Sequence, residues 1–600
     1  MELIKLALRP GIVKELSRLG GEGGWYDSDK IRFRYGLPER MGGWQNINGQ
    51  GNTTTFKGIA RASRDWQDNS IREWLALGTH KKLYAWASEV YNDITPLRTS
   101  VGGTNNFSTS AGSPLILVSS PAHNEVVGGF FNLTSITTTL IGGVSVSAGE
   151  YEVVSITNDT FFVSIATAPF TSLTAGGAWS GYFHLSPGEQ HNTGGFGWGA
   201  GGWSHAGGWG TSAPSSGILV GLRTWSLDNW GEELIANPRG GGIYHWGLDV
   251  NSRASAITGA PSRANFVMVS PEDRILIAFG VPDIATSVYN PLYARWCDQE
   301  NFNLWVPAAT NTAGDKLFSG GTKIMAGYKS KGQILVWTDQ TLYSMQQVSD
   351  DFVFRFQVVG EQSGLVSPYG GVEADGVFRW MGDQNFQEYA GGSVRVIDCP
   401  VNRFVFDNLD RDQLDKTVAG HHAEFSEIYW FYQDITASEI NRYVCLNYRE
   451  NTWTVGTLAR TTWTDRGIFG YPIAAGDDGK TYFQDFGYSA DGSVIASYLD
   501  SNEFDMKDGE DIIFLDRVVP DVTNIDGTAN TGQVNFTVQA RRYSNSTPTT
   551  KGPYGISAGT EKIDLRARGR TIQLSFSSSG TNDKWRLSPL RLRVGLDGKR

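Results

Sequence analysis

Short apolar segments separated by turns rich in glycine, aspartate and asparagine dominate the hydrophobic pattern of this chain. One arrangement recurs: an apolar strand, a turn, and a second strand that is often entered through an aromatic residue. Clear copies, such as EWLALGTHKKLYAW and PIAAGDDGKTYFQD, start at residues 73, 233, 333, 377 and 472. Looser copies start at residues 274 and 427. Each copy predicts a β-hairpin.

The spacing of these copies indicates a repeat architecture. Successive starts lie 41 to 59 residues apart, except for a gap of 160 residues between the first two. A period of about 45 residues, with about four short strands in each unit, is typical of a β-propeller. We therefore predict an all-β protein built on a β-propeller of six or seven blades, with seven favoured. A large β-sandwich with accidental periodicity is the alternative.

The long gap predicts an inserted domain. Residues 101–187 alternate Val, Ile, Thr and Ser in strand-like runs and contain almost no Lys or Arg. The expected domains are an N-terminal segment with the first blade (1–100), a small inserted β-domain (101–187), the remaining blades (188–487) and a basic C-terminal β-domain (488–600). We expect the aromatic and arginine-rich first 55 residues to supply the strand that completes the last blade.

A run of glycine and tryptophan, GGFGWGAGGWSHAGGWG, occupies residues 194–210 and precedes the second blade. Glycine loses the most conformational entropy when it is ordered, yet a purely disordered tether rarely contains so many tryptophans. We therefore expect Trp198, Trp203 and Trp209 to be at least half buried at a junction between domains or subunits.

The amino-acid composition is that of a globular protein. The chain is 40% hydrophobic and 19% charged, as expected of a globular protein. Its three cysteines (Cys297, Cys399 and Cys445) show no CxxC spacing, so we expect neither a disulfide framework nor a zinc site, and a reducing compartment during synthesis. The sequence predicts no signal peptide and no membrane span.

Charge is distributed unevenly along the chain. The net charge is −11, but the last 40 residues hold ten Lys or Arg and four Asp or Glu, a balance of +6 that leaves −17 for the first 560 residues. Within this basic stretch, Arg566, Arg568 and Arg570 alternate, so a strand would place all three side chains on one face. Our hypothesis is that this face meets an acidic protein surface, with DNA as the second candidate and simple solvation as the third.

Two sequence matches to catalytic motifs do not predict an enzyme. GISAG at residues 555–559 matches a nucleophile elbow, but all eight histidines precede Ser557 in the chain, whereas that motif requires a histidine after the nucleophile. AAGDDGKT at residues 474–481 ends like a phosphate-binding loop but lacks its leading glycine and lies at a predicted hairpin turn. We therefore predict no catalytic residues and no cofactor.

The acidic segment DNLDRDQLD at residues 407–415 lacks the glycine and the terminal glutamate of a calcium-binding loop. A short surface helix capped by Asp407 or Asn408 is the preferred interpretation. The adjacent His421 and His422 have no third ligand at a recognisable spacing, so we predict no metal site.

Several long motifs resemble one family. They include RPGIVKEL, EGGWYDSDKIRFRYGLPERMGGW, DNWGEELIANPRGG, WCDQENFNLWVPAATNTAGD, ILVWTDQTLYSMQ, YRENTWTVGTLARTTW and RARGRTIQLSFSS with KWRLSPLRLRVGLDGKR. Together they resemble tail nozzle or tail hub proteins of short-tailed bacteriophages, also described as DNA-stabilising head-completion proteins. The similarity extends over nearly the whole chain and is weakest in the insertion.

The resemblance implies a structural virion protein rather than an enzyme. Members of this group are propellers that assemble as a homohexameric ring below the portal and adaptor. They act as a head-to-tail connector in DNA ejection, extending the DNA exit channel, retaining packaged DNA and anchoring tail fibres or spikes. Double-stranded DNA would pass through without sequence-specific binding, and the chain would be made in the bacterial host cytoplasm. The alternatives are a propeller-bearing tail enzyme, a glycan-binding adhesin and a propeller scaffold encoded by the host.

Overall fold

A computed structural model describes residues 2–192, 221–348, 353–506, 510–525, 532–543 and 546–598. Two compact units divide the chain: the first comprises residues 1–55, 330–348 and 354–600, and the second comprises residues 56–329 and 349–353. Antiparallel strands make up almost all of the regular structure, which identifies an all-β protein. Among the described residues, no helix is long and apolar enough to cross a membrane.

The chain begins with five short strands that belong to the first unit: β1 (Glu2–Leu6), β2 (Trp25–Asp29), β3 (Ile31–Arg34), β4 (Leu37–Arg40) and β5 (Trp44–Asn46). The second unit opens with a four-stranded antiparallel sheet whose strands follow one another in sequence order, which we call blade 1. Its strands are β6 (Ala60–Gln67), β7 (Glu73–Thr79), β8 (Leu83–Ala87) and β9 (Val90–Asp93).

An inserted domain follows blade 1. Its strands are β10 (Leu97–Thr104), β11 (Phe107–Thr109), β12 (Leu115–Ser119), β13 (Phe130–Ile136), β14 (Leu140–Ile141), β15 (Val144–Ser145), β16 (Gly149–Ile156), β17 (Thr160–Ser164), β18 (Leu173–Ala175) and β19 (Ala178–His184). Eight of them form one sheet in the order β10-β19-β13-β16-β17-β12-β11-β18, and β14 pairs with β15. Alternating inward residues build a core of its own around Phe131, Phe161 and Phe183.

Two further blades of the second unit follow in the chain. Blade 2 contains β20 (Trp225–Trp230), β21 (Glu233–Pro238), β22 (Tyr244–Trp246) and β23 (Ser255–Ala256). Blade 3 contains β24 (Phe266–Val269), β25 (Leu276–Pro282), β26 (Tyr289–Trp296) and β27 (Gly314–Leu317). Both sheets are antiparallel meanders in sequence order.

The remaining blades follow in chain order. Blade 4 contains β28 (Ile324–Ser330), β29 (Gln333–Thr338), β30 (Leu342–Gln347) and β31 (Phe354–Gly360). Blade 5 contains β32 (Gly371–Ala374), β33 (Val377–Met381), β34 (Phe386–Ala390) and β35 (Ser393–Val396). A helix, α1 (Asn402–Asn408), and a 3-10 helix (Arg411–Lys416) then precede blade 6, which contains β36 (Val418–His422), β37 (Glu427–Tyr432), β38 (Arg442–Asn447) and β39 (Thr452–Thr457).

Blade 7 is completed by the N-terminal segment. Its own strands are β40 (Ile473–Ala475) and β41 (Thr481–Gln484), and β5 pairs antiparallel with β41, with Gln45 opposite Phe483. This confirms that the first 55 residues supply a strand to the last blade. Every predicted hairpin copy falls on strands of a blade, and the fold is the predicted β-propeller with an inserted β-domain and a C-terminal β-domain.

The C-terminal domain contains β42 (Ser497–Ser501), β43 (Ile513–Val519), β44 (Val522–Asn524), β45 (Val534–Arg541), β46 (Thr549–Ile556), β47 (Ile563–Gly569), β48 (Thr571–Ser578), β49 (Trp585–Leu587) and β50 (Leu590–Leu596). Its three sheets have the orders β1-β50-β43-β47, β2-β42-β48-β45-β46 and β3-β4-β49-β44. Strands β1 to β4 are therefore part of this domain, and the predicted range 488–600 covers only its C-terminal share.

The predicted helix cap is wrong. The 3-10 helix is capped by Asp410, whose carboxylate accepts a hydrogen bond from the Asp412 N–H at 3.0 Å, and not by Asp407 or Asn408. Asn408 instead ends α1, because its side-chain amide donates back to the Phe404 carbonyl at 2.7 Å.

Candidate interaction face of the C-terminal domain

The structure places two of the three predicted arginines on one exposed surface. In β47, Leu565 and Ala567 point into the core, and Arg566 and Arg568 point outward. Arg570 lies one residue beyond the end of this strand and is half-buried, and its N–H donates to the Arg541 carbonyl at 2.7 Å. The prediction that a single strand carries all three is therefore wrong for Arg570. Trp198, Trp203 and Trp209 lie outside the described residues.

Three other strands extend the basic surface. Directly opposed residues in an antiparallel sheet point to the same side. Lys5 lies opposite Arg591, Arg593 lies opposite Arg517, and Arg517 lies opposite Asp564. Since Asp564 alternates with Arg566 and Arg568, all these side chains share one face. We call it the basic face: Lys5, Arg517, Arg566, Arg568, Arg591 and Arg593.

Three carboxylates neutralise part of this charge. Arg593 makes a two-point ion pair with Asp516 at 2.7 and 2.6 Å, Arg517 pairs with Asp564 at 2.7 Å, and Arg568 pairs with Asp597 at 2.5 Å. The hydrogen bond from Arg593 lowers the pKa of Asp516, and that from Arg517 lowers the pKa of Asp564. Six cations thus face three carboxylates.

The remaining cations, Lys5, Arg566 and Arg591, make no ion pair with any described residue, and all three are exposed. Lys5 and Arg591 are direct cross-strand neighbours, and two like charges in such positions destabilise a sheet. An anionic partner laid on this face would remove that repulsion. The alternation LRLRV at residues 590–594 is the sequence signal for Arg591 and Arg593, and RARGR alone does not predict these two residues.

Buried ion pairs attach the N-terminal strands to their surroundings. The Arg32 guanidinium donates to both carboxylate oxygens of Glu427, at 3.0 Å each, and to both of Asp485, at 3.0 and 2.8 Å. His422 also lies 2.8 Å from Asp485. Burial alone would raise the pKa of Asp485, but Arg32 and His422 outweigh it and hold that pKa far below its usual range. In the same segment, Arg586 pairs with buried Glu39.

One group of metal-ligand type occurs among the described residues, in the second unit. Asp93, Glu150 and His184 bring one ligand atom each within 4.8 Å of the others. The buried Lys82 ammonium lies 2.7 Å from Asp93 and also hydrogen-bonds Glu150, and Arg253 pairs with Asp93 at 2.5 Å. Two cations of the protein thus already balance the two carboxylates, and we assign no metal here.

The charges of this group hold the insertion against blade 1. Burial would raise the pKa of Asp93, but Lys82 and Arg253 outweigh burial and hold it well below its usual range. Burial lowers the pKa of His184 to about 4, and both of its ring nitrogens are buried without a hydrogen-bond partner.

The two segments that match catalytic motifs both lie in turns between strands. Ser557 lies in a turn between β46 and β47, with its hydroxyl 3.4 Å from that of Thr560. Residues 476–480 form the turn between β40 and β41, with no helix after it. Neither segment has the strand-to-helix geometry that its motif requires.

Comparisons with known proteins give distant likenesses only. No protein-family model matches the chain, and no curated protein matches it. Among solved structures, the computationally designed Ika8 protein is similar over 72% of this chain and 97% of its own, at 9% identity and a TM-score of 0.32. Hsv2 of Kluyvelomyces marxianus is similar over 44% of this chain and 72% of its own, at 6% identity and a TM-score of 0.27. The endosialidase of phage phi92 is similar over 79% of this chain and 74% of its own, at 10% identity and a TM-score of 0.20.

Proposed function

We propose that this chain is a structural component of a short-tailed phage tail. It forms a homohexameric nozzle or hub below the portal and adaptor, extends the DNA exit channel, retains packaged DNA and anchors fibres or spikes. It is made in the host cytoplasm, works in the virion tail and has no catalytic activity. The long sequence motifs support the family, and the basic face on an otherwise acidic chain is the structural observation that carries the proposal.

The distribution of charge fits a conduit. Each phosphate that Lys or Arg neutralises strengthens a sequence-independent grip on DNA, so a channel wall should carry few accessible cations. The first 560 residues sum to −17, which repels a duplex where those charges line a channel. We therefore assign the basic face to a protein contact with an acidic surface of a neighbouring tail subunit. DNA and solvent alone are the competing partners.

Charge reversal tests this assignment. Lys5, Arg566 and Arg591 are changed together to Glu, because none of them has an ion-pair partner inside the described chain that the change would disrupt. The matched control reverses three exposed cations elsewhere in the first unit that likewise make no ion pair with any described residue: Lys331, Arg355 and Arg542. Both variants change the net charge equally.

The proposal predicts that only the basic-face variant is lost from purified particles, while its melting temperature as a free chain matches that of the control. Quantitative immunoblotting against a capsid protein measures incorporation. Normal incorporation of the basic-face variant would show that solvent covers this face. Normal incorporation together with premature loss of DNA would instead assign the face to DNA.

A further inference from the structure

An open pocket of about 620 Å³ lies in the first unit, between the tips of blades 6 and 7. Its lining comprises Lys30, Trp44, Asp477 and residues 436–441 and 457–459. The size falls within the range typical of small-molecule sites. The lining combines the Trp44 ring and several carboxylate, amide and hydroxyl groups with four apolar side chains: Ala437, Ile440, Leu458 and Ala459.

The loop at residues 433–441, between β37 and β38, is held rigidly from beneath. Buried Lys416 donates to the Ser438 carbonyl at 2.9 Å, and buried Gln433 donates to the Ala437 carbonyl at 2.9 Å. The Asp434 carboxylate accepts from the Thr436 N–H at 2.9 Å and from its hydroxyl at 2.6 Å. Three buried polar side chains thus fix one wall of the pocket in advance, which reduces the entropy lost when a ligand binds.

Trp44 forms the opposing aromatic surface. The Arg460 guanidinium lies 4.9 Å from the Trp44 ring centroid and is itself held by Gln484 at 3.1 Å and by the Ala459 carbonyl at 2.8 Å. Burial lowers the pKa of Arg460 to about 10, which still leaves it charged at neutral pH. These contacts fix Arg460, which in turn fixes the orientation of the Trp44 ring. Trp44 is half-buried.

Three polar side chains of the lining have hydrogen-bonding capacity left. The Asn441 carbonyl oxygen accepts from the Asp434 N–H at 3.1 Å, and its amide donates to the Asp434 carboxylate, which leaves one of the two amide N–H groups for a ligand. Among the described residues, the Ser438 hydroxyl has no hydrogen-bond partner, and the exposed Asp477 carboxylate accepts only from its own backbone N–H. Donors and acceptors beside a fixed ring suit a ligand with many hydroxyl groups and an apolar face.

We infer that this pocket binds a neutral saccharide, with the sugar ring stacked on Trp44 and its hydroxyls bonded to Asp477, Asn441 and Ser438. A cationic ligand is the competing class, because Glu439 and Asp477 contribute carboxylates and the Lys30 ammonium is already paired with Asp29 at 3.0 Å. The inference goes beyond the tail role proposed above, and its failure would leave that role untouched.

Saturation-transfer difference NMR on the full chain tests this inference. The probes are short soluble oligosaccharides of neutral hexose and N-acetylhexosamine units, with spermidine as the cationic probe. Asp477→Ala removes an acceptor from an exposed turn without touching the core. Asp383→Ala is the matched control, because Asp383 occupies the corresponding exposed turn of blade 5, between β33 and β34.

We expect at least one neutral oligosaccharide to bind, Asp477→Ala to raise its Kd about tenfold, and Asp383→Ala to leave it unchanged. Three results would each overturn the inference. They are the absence of binding by every oligosaccharide, oligosaccharide binding that Asp477→Ala does not weaken, and spermidine binding that depends on Asp477 while no saccharide binds.

Discussion

At the scale of the residue, Arg32 shows how the chain tolerates charge in its interior. Its single guanidinium satisfies two buried carboxylates, those of Glu427 and Asp485. Removing one partner from a buried ion pair is costly because it leaves the other charge desolvated and unpaired. Nothing in the local sequence IRFR predicts this role, since Glu427 and Asp485 lie 395 and 453 residues away in the chain.

Arg32→Ala should therefore lower the free energy of unfolding by about 3–5 kcal/mol. Arg403→Ala is the control, because its pair with Asp407 is exposed and such a pair contributes at most about 0.5 kcal/mol. Urea denaturation of both variants measures the difference. Equal losses would show that the Arg32 network contributes no more than a surface pair.

His184 makes the second unit sensitive to acid. Below pH 6.5 the unfolded chain protonates an ordinary histidine, whereas the folded chain protonates His184 only below about pH 4. Acid therefore favours the unfolded state. The free energy of unfolding should fall by about 3 kcal/mol as the pH is lowered from 6.5 to 4. Asp93 and Glu150 have lowered pKa values in the folded chain, so their ionised forms also stabilise the fold. That stabilisation is lost at still lower pH, as the two carboxylates become protonated.

His184→Gln should flatten the decline in thermal stability between pH 6.5 and 4, because glutamine does not titrate. His245→Gln, which changes a half-buried histidine of blade 2, should leave the decline in place. Melting curves across this pH range test the assignment. A decline that persists unchanged in His184→Gln would assign the acid sensitivity to other groups.

At the scale of the element, the sequence predicts strands better than it predicts their partners. The blades are meanders, so each strand pairs with its neighbour in sequence, and the hairpin repeat therefore reveals them. Strands β1, β2 and β4 pair instead with strands near the other end of the chain, as β1 does with β50, and no local pattern encodes such a partner. The basic face depends on this pairing, which is why RARGR predicted Arg566 and Arg568 but not the contribution of Lys5.

The entry of β5 into blade 7 depends on a close approach of backbones. A Cβ atom added at Gly43 would lie 2.2 Å from the Ser489 carbonyl oxygen and 2.5 Å from the Ser489 nitrogen. Gly43→Ala should thus shift the backbone and destabilise the fold by about 1–3 kcal/mol. Gly559→Ala, at a site with no atom within 4 Å, is the control. If the two variants melt at the same temperature, the strand can move without cost.

At the scale of the whole molecule, the distribution of charge and the propeller fold are both compatible with the proposed role in a tail. A propeller presents many loops on a stable frame, and an acidic chain with one basic face can join an assembly through that face while repelling DNA elsewhere. Trp198, Trp203 and Trp209 remain a prediction about a further junction. Changing all three to serine should weaken assembly without unfolding the propeller, and an equal loss of thermal stability in the isolated chain would contradict this.

Electron cryomicroscopy of purified particles tests whether this chain forms a ring in the tail. We predict six copies in a closed ring directly below the portal and adaptor, coaxial with the DNA channel, with the basic face against an acidic neighbouring subunit. A trimeric spike at the periphery of the tail, or particles that lack the chain altogether, would contradict it.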